Sequence, residues 1–279
     1  MLSPCTPGQS YRWYEGDREQ QIVFWICSGM ICSLALAALA LFAGVEAPYG
    51  RYNTVEDNKH WALKLVSVGG VNAKLAFALQ ECPTLVAAAV WWFRGNPECK
   101  ASAGNLLVFS CFVCHYVNRT IIYPLRMRGS KPIPFPIMVL AGVFCGLNGY
   151  VQCCSVLRLL VVEVASPSTM IGITLWAAGL YVNTDADKIL RNLRKPGEKG
   201  YKIPRGGMFD YVSGANFFGE ILEWIGYAIA MGGALPGVMF ATCTACNVAP
   251  RALSHHKWYL EKFKDEYPKE RRALIPFVL

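Results

Sequence analysis

Several side chains able to do chemistry stand where the surrounding residues are apolar. Glu81, preceded by Gln80 and followed by Pro83, lies in residues 65–93, where Lys74 is the only other ionisable group apart from Cys82. His115, Tyr116, Asn118 and Arg119 interrupt residues 106–125, and Asn148 and Gln152 sit in residues 133–157. Asn183, Asp185 and Asp187 close the run at 164–184. Asn216, Glu220 and Glu223, spaced by four and three, fall on one helical face. An ionisable group inside a bilayer costs at least about 2.5–3.5 kcal/mol and normally faces a bundle interior, where it binds, relays protons or lines a transport path. The competing reading is a set of interhelical hydrogen bonds that lock a bundle together.

The elements that would carry these groups follow from composition. Of 279 residues, 54% are hydrophobic and 16% charged, against about 25% charged in a soluble domain. A bilayer core about 30 Å thick needs around 20 apolar residues per helix. Residues 22–45, 133–157, 164–184 and 224–250 contain no Asp, Glu, Lys or Arg. The last run is broken by Gly232, Gly233, Pro236 and Gly237, which predicts two helices and a turn. With residues 65–93 and 106–125, the expectation is an all-α, multi-pass bundle of seven transmembrane helices in a single domain spanning 1–279.

Net charge is +8, from 27 Lys+Arg and 19 Asp+Glu, but the basic residues lie between apolar runs, so they read as membrane orientation rather than nucleic-acid binding. Residues 1–21 carry two basic and three acidic groups, whereas 126–131 carry three basic and none acidic. Residues 185–210 and 251–279 each carry seven basic and four acidic. By the positive-inside tendency, the short segment 1–21 is lumenal and the C-terminus cytosolic. The connections at 94–100 and 158–163 then lie on the lumenal side.

No glycine-rich nucleotide-binding fingerprint of a soluble fold is present. Lys188, Arg191, Arg194 and Lys195 instead gather near one face of a helical extension, ahead of Gly197, Gly200, Gly206 and Gly207. Guanidinium groups there suit phosphates, as a basic juxtamembrane segment also suits anionic headgroups. The twelve cysteines do not read as a disulfide framework; nine lie in apolar runs and behave as small buried hydrophobes. Cys111 and Cys114, followed by His115, and the pair Cys243 and Cys246 have ligand-like spacing but lack a polar ligand cluster, so no metal is expected.

The motifs LQECP at 79–83, HYVNRT at 115–120, RGSKP at 128–132, ILRNLRKPG at 189–197, GGMFDYVSGANFFGE at 206–220, HHKWYL at 255–260 and ALIPF at 273–277 resemble the steroid 5α-reductases. The resemblance runs from about residue 49 to the C-terminus. It implies a seven-helix enzyme of the endoplasmic reticulum membrane, in contact with lipid, that reduces the carbon 4–5 double bond of a 3-oxo-Δ4-steroid with NADPH. It further implies that Glu81 and Tyr116 grip the 3-keto oxygen, and that Tyr49, Lys131, Asn183, Asp187, Arg194, Tyr201, Asn216, Glu220, His255 and Tyr259 line the NADPH site. Asp185 stands where the animal enzymes usually carry His.

The resemblance fits the chemistry. Hydride addition to the β-carbon of an enone drives negative charge onto the carbonyl oxygen, and donors already aimed there lower the barrier. An apolar surround disfavours an ionised carboxyl group, so Glu81 is expected to be protonated and to donate beside Tyr116. The alternatives are a related membrane reductase of enoyl-CoA or polyprenol substrates and, from another class, a seven-span transporter, for which no internal repeat is visible.

Overall fold

The computed structural model describes residues 18–42, 69–128, 130–194, 198 and 200–279. Tyr49 and Lys195 lie outside them. The described chain is overwhelmingly helical, as expected, with one small antiparallel pairing of β1 (Gly70–Val71) and β2 (Ile133–Pro134). Among the described residues, four stretches are long and apolar enough to cross a membrane: Arg18–Leu39, Ala73–Arg94, Ala103–Arg126 and Phe135–Leu159. Chain contacts divide the protein into two compact units, Met1–Met30 with Gly44–Thr169 and Ile31–Ala43 with Met170–Leu279.

In the first unit, helix α1 (Arg18–Phe42) contributes its opening turns. Helix α2 (Ala73–Arg94) begins where the Asn72 carbonyl side chain accepts the amides of Lys74 and Leu75, and a short α3 (Pro97–Ala101) follows. Helix α4 (Ala103–Val117) runs through a π-helical turn, Asn118–Ile122, into α5 (Tyr123–Arg126). Helix α6 (Phe135–Cys154) closes in a second π turn, Ser155–Leu159.

Contacts at one end of this unit reveal the helix directions. Asn96 N donates to Leu157 O at 2.8 Å, Ser102 Oγ to Val162 O at 3.2 Å, and Arg158 meets Glu19 at 3.1 Å. The start of α1, the end of α2, the start of α4 and the end of α6 therefore share one end, while β1–β2 joins the starts of α2 and α6 at the other. Successive helices alternate in direction, as short connections between membrane spans require. Asn105, fully buried, ties the shared end together. Its amide nitrogen donates to Val156 O and Leu160 O at 2.7 and 2.8 Å, and its oxygen accepts from Val162 N at 2.6 Å.

The second unit is built on α7 (Pro167–Asn192), α8 (Ala215–Ala230) and α9 (Leu235–Phe263). The predicted break between the last two helices is present: Gly232 and Gly233 take φ of 67° and 74°, and Pro236 opens α9. The antiparallel contact of α7 with α8 rests on four glycines in two seven-residue repeats. A Cβ on Gly172 or Gly179 would lie 2.2 Å from the backbone nitrogen of Ala230 or Glu223, and one on Gly219 or Gly226 would lie 2.5 or 2.3 Å from that of Asn183 or Trp176. Small residues of this kind let helix backbones approach where lipid offers no hydrophobic drive.

Replacing any of these four glycines forces the helices apart. Gly179→Ala is expected to lower the thermal midpoint in detergent by roughly 2–12 °C, from about 1–3 kcal/mol of overpacking at about 2–4 °C per kcal/mol. Gly29→Ala in α1, where an added Cβ meets nothing within 4 Å among the described residues, is the control and leaves the midpoint unchanged. Equal midpoints for the two variants would contradict this close approach.

Candidate active site

Three helices of the first unit build one polar cluster. Glu81, just over two turns into α2, is 8% exposed, and Tyr116, at the end of α4, is 3% exposed. Helix α6 touches both. The Cys145 thiol lies 3.4 Å from Glu81 Oε2, and three residues further on Asn148 Nδ2 donates to Tyr116 Oη at 3.0 Å. Residues three apart on a helix share a face, with Cβ atoms about 5–6 Å apart, so α6 brackets the carboxyl and the phenol within one site. One turn later Gln152 Nε2 donates to Asn148 Oδ1 at 3.1 Å. The α2–α6 contact that makes this possible is tight: a Cβ on Gly149 would sit 2.9 Å from Thr84 Cα, and Thr84 Oγ1 donates to Cys145 O at 2.9 Å.

The surround of Glu81 is not the purely apolar one expected from sequence. The π turn after Tyr116 carries Arg119, whose Nη2 lies 3.9 Å from Glu81 Oε1. The guanidinium carbon sits 4.8 Å from the ring centre of Tyr123 and 5.5 Å from that of Phe77, so two aromatic faces hold the cation beside the carboxyl group. π turns inside α-helices recur at functional sites.

The second unit gathers most of the other candidates. Gly219 sets α7 against α8, and Asn183 Nδ2 donates to Asn216 O at 2.9 Å. Asn183 Oδ1 is buried with no hydrogen-bond partner among the described residues. Asp187 lies one turn beyond Asn183 on α7, and Glu220 one turn beyond Asn216 on α8; both are partly buried. Arg194 reaches Gly200 O at 3.4 Å, Tyr201 packs edge-on to Trp258 at 4.7 Å, and His255 lies 5.5 Å from Phe217. Tyr259 is buried and stacks on Tyr267 with an 11° interplanar angle. Lys131, in the first unit, is exposed. Among the described residues no group of three or more His, Cys, Asp or Glu could hold a metal ion.

The C-terminal tail fastens the loop that leads into α8. Arg272 N donates to Tyr211 O at 3.0 Å, Ser213 N to Arg272 O at 2.8 Å and Gly214 N to Ala273 O at 3.0 Å. Arg271, 3% exposed, donates to Pro204 O at 2.9 Å and lies 3.7 Å from Asp210. Ser213 Oγ is 2.6 Å from both His256 Nδ1 and Tyr267 Oη.

The family model described as 3-oxo-5-alpha-steroid 4-dehydrogenase matches residues 131–279, more than half of the chain. Similarity extends over nearly all of it. The human 3-oxo-5-alpha-steroid 4-dehydrogenase 1 is 44% identical over 250 residues, 88% of this chain and 92% of that protein. The mouse type 1 protein is 43% identical over 249 residues, 88% and 93% respectively. The human type 2 protein is 38% identical over 260 residues, 91% and 96%. The chain belongs to the 3-oxo-5-alpha-steroid 4-dehydrogenase family.

Within this family member, the sequence singled out Arg119, Asn148 and Gln152 as polar residues in apolar runs but gave them no partners. Cys145 and Thr84 were missed, because a thiol or a hydroxyl in an apolar run carries no signal of what it faces. Among the described residues ten cysteines are free and Cys99 is disulfide-bonded. Cys99 lies in short α3, outside the apolar runs, where geometry and not hydropathy decides pairing.

Burial, and then the charge of Arg272, hold the His256 imidazole below its ordinary value. The folded chain thus prefers neutral His256. Its contribution is complete above the unfolded value of about 6.5 and is lost as pH falls through the lower folded value. Between about pH 7.5 and 5 the wild-type thermal midpoint is expected to fall more steeply than that of His256→Gln. Parallel pH slopes would remove His256 from the tail's stability.

Proposed function

We propose that this chain is an NADPH-dependent reductase of the carbon 4–5 double bond of 3-oxo-Δ4-steroids, giving 5α-reduced 3-oxosteroids. Both the family and the names of its relatives support that substrate class. The observation that carries the reading is the pairing of Glu81 with Tyr116 through Cys145 and Asn148 of α6, which gathers a carboxyl group and a phenol in a buried site. Such a site suits a ketone oxygen that gains charge as the double bond is reduced.

In the proposed mechanism Tyr116 donates a hydrogen bond to the 3-keto oxygen, and Glu81, when protonated, donates a second. When bound, NADPH supplies a hydride to carbon 5. The electron pair of the carbon 4–5 bond moves toward the oxygen, where the two donors stabilise the developing enolate, and the ketone is restored as carbon 4 takes a proton that comes ultimately from solvent. Arg119, beside Glu81, counters the negative charge that arrives. Burial keeps water from competing for the donors.

The NADPH assignment goes to Tyr49, Lys131, Asn183, Asp187, Arg194, Tyr201, Asn216, Glu220, His255 and Tyr259. Their chemistry fits a dinucleotide. Asn183 has a buried carbonyl oxygen able to accept from an amide, and Asn216 and Glu220 offer further polar groups one turn apart. Arg194 provides a guanidinium for phosphate.

We further propose a single multi-pass reductase domain of seven spans in the endoplasmic reticulum membrane, with a lumenal N-terminus and a cytosolic C-terminus. The alternating directions of α1, α2, α4 and α6 support the first half of this topology. The disulfide at Cys99 supports an oxidising compartment for the connection between α2 and α4.

Two predictions test the reading in membranes supplied with testosterone or progesterone and NADPH. Glu81→Gln and Tyr116→Phe are each expected to lower turnover at least about tenfold, since one donor to a developing oxyanion is worth about 2.7–4 kcal/mol, while the protein still inserts. Full turnover in both variants would remove the proposed donors. Arg194→Ala is expected to weaken NADPH binding by about tenfold or more, against an unchanged steroid KM, for a lost charge-assisted pair; unaltered cofactor affinity in a titration would overturn its placement.

A further inference from the structure

A phenol can grip a carbonyl oxygen only if its single proton points toward that oxygen. Tyr116 sits between groups that could claim the proton, and their arrangement decides its direction. Asn148 presents its amide nitrogen to Tyr116 Oη at 3.0 Å, so the phenol oxygen accepts there. Rotated by half a turn, the same side chain would present its carbonyl oxygen and draw the phenol proton to itself. Gln152 favours the first orientation, because its own amide nitrogen donates to Asn148 Oδ1 at 3.1 Å. Asn148 and Gln152 are both fully buried, one turn apart on α6, so solvent does not reset either amide.

We propose that Asn148 and Gln152 are positioning residues that fix the polarity of the Tyr116 hydroxyl, so that its proton is presented to the carbonyl oxygen of the substrate. The inference rests on the reading of Tyr116 as a donor to that oxygen. It assigns a role in turnover to two residues outside the proposed donor pair of Glu81 and Tyr116. Their rigidity comes from the α2–α6 contact: Gly149, next to Asn148, packs on the Thr84 backbone, and Thr84 Oγ1 gives its hydrogen to Cys145 O. The Thr84 hydroxyl also lies within hydrogen-bonding reach of the phenol.

The test is a double-mutant cycle on kcat with NADPH and a 3-oxo-Δ4-steroid in membranes. Asn148→Leu is expected to lower kcat about tenfold with the steroid KM within about twofold. The same substitution in the Tyr116→Phe background is expected to cause no further loss, since no hydroxyl is left to orient. Asn148→Asp, of the same size, offers a second route that does not depend on the tolerance of leucine. Its ionised form accepts the phenol proton and its neutral form donates as the amide does, so kcat should decline on the alkaline side of the profile and recover toward acid pH.

Wild-type kcat in both Asn148 variants, or an equal fold-loss with and without the Tyr116 hydroxyl, would overturn the inference. If Tyr116→Phe alone keeps full turnover, the donor reading itself fails. If Tyr116→Phe is impaired and the Asn148 variants are not, only the positioning role fails.

Discussion

The polar cluster depends on how closely α2 and α6 approach each other. Gly149 lets the backbone of α6 lie against Thr84, and the Thr84 hydroxyl then bonds to the carbonyl of Cys145. That register turns one face of α6 toward both neighbours, Cys145 to the carboxyl group of Glu81 and Asn148 to the phenol of Tyr116. A side chain at position 149 would part the helices and leave these groups buried without partners, where each unmet polar group costs about 1–3 kcal/mol. The second unit uses the same device: Gly219 admits the backbone of Asn183, whose amide then reaches Asn216.

Two buried asparagines illustrate how structural and chemical roles separate. Asn105 has backbone partners on both ends of its amide, and these fasten the end of α6 and the stretch after it to the start of α4. A side chain bonded only to main chain stabilises a fold and has no route to a ligand. Asn148 bonds to side chains at both ends, a glutamine behind it and a phenol in front. Changing the state of either neighbour changes what Asn148 can do, which is the condition for taking part in a reaction. The two residues share a type, a burial and an apolar sequence context.

That identity of context explains what was legible in the sequence. Apolar runs and their polar interruptions gave the helices of the first unit to within a few residues at most ends, and Gly232, Gly233 and Pro236 located the break before α9, because these signals are local. The motif resemblance assigned Glu81 and Tyr116 their roles. Partnership between helices was not legible: that Arg119 faces Glu81, that Cys145 touches the carboxyl group, or that Asn148 points its nitrogen at Tyr116 follows from helix rotation and register. Those are fixed by glycine contacts distributed over sequence separations of more than sixty residues. The same limit applies to Cys99, whose hydropathy resembles that of the free thiols.

Arg119 changes the electrostatic picture that burial alone suggests. The π turn after Tyr116 brings a guanidinium within 3.9 Å of the Glu81 carboxyl group. Phe77 and Tyr123 stabilise that cation through their ring faces, without adding a second negative charge. The site therefore already contains a positive charge before any substrate arrives. In the proposed mechanism electron density moves onto a carbonyl oxygen beside Tyr116 and Glu81, and the countercharge is fixed in place by aromatic packing and need not be gathered from solvent. Electrostatic preorganisation of this kind has its largest effect in a water-excluded bundle, which gives a physical reason for keeping a guanidinium beside this cluster where lipid would otherwise oppose it.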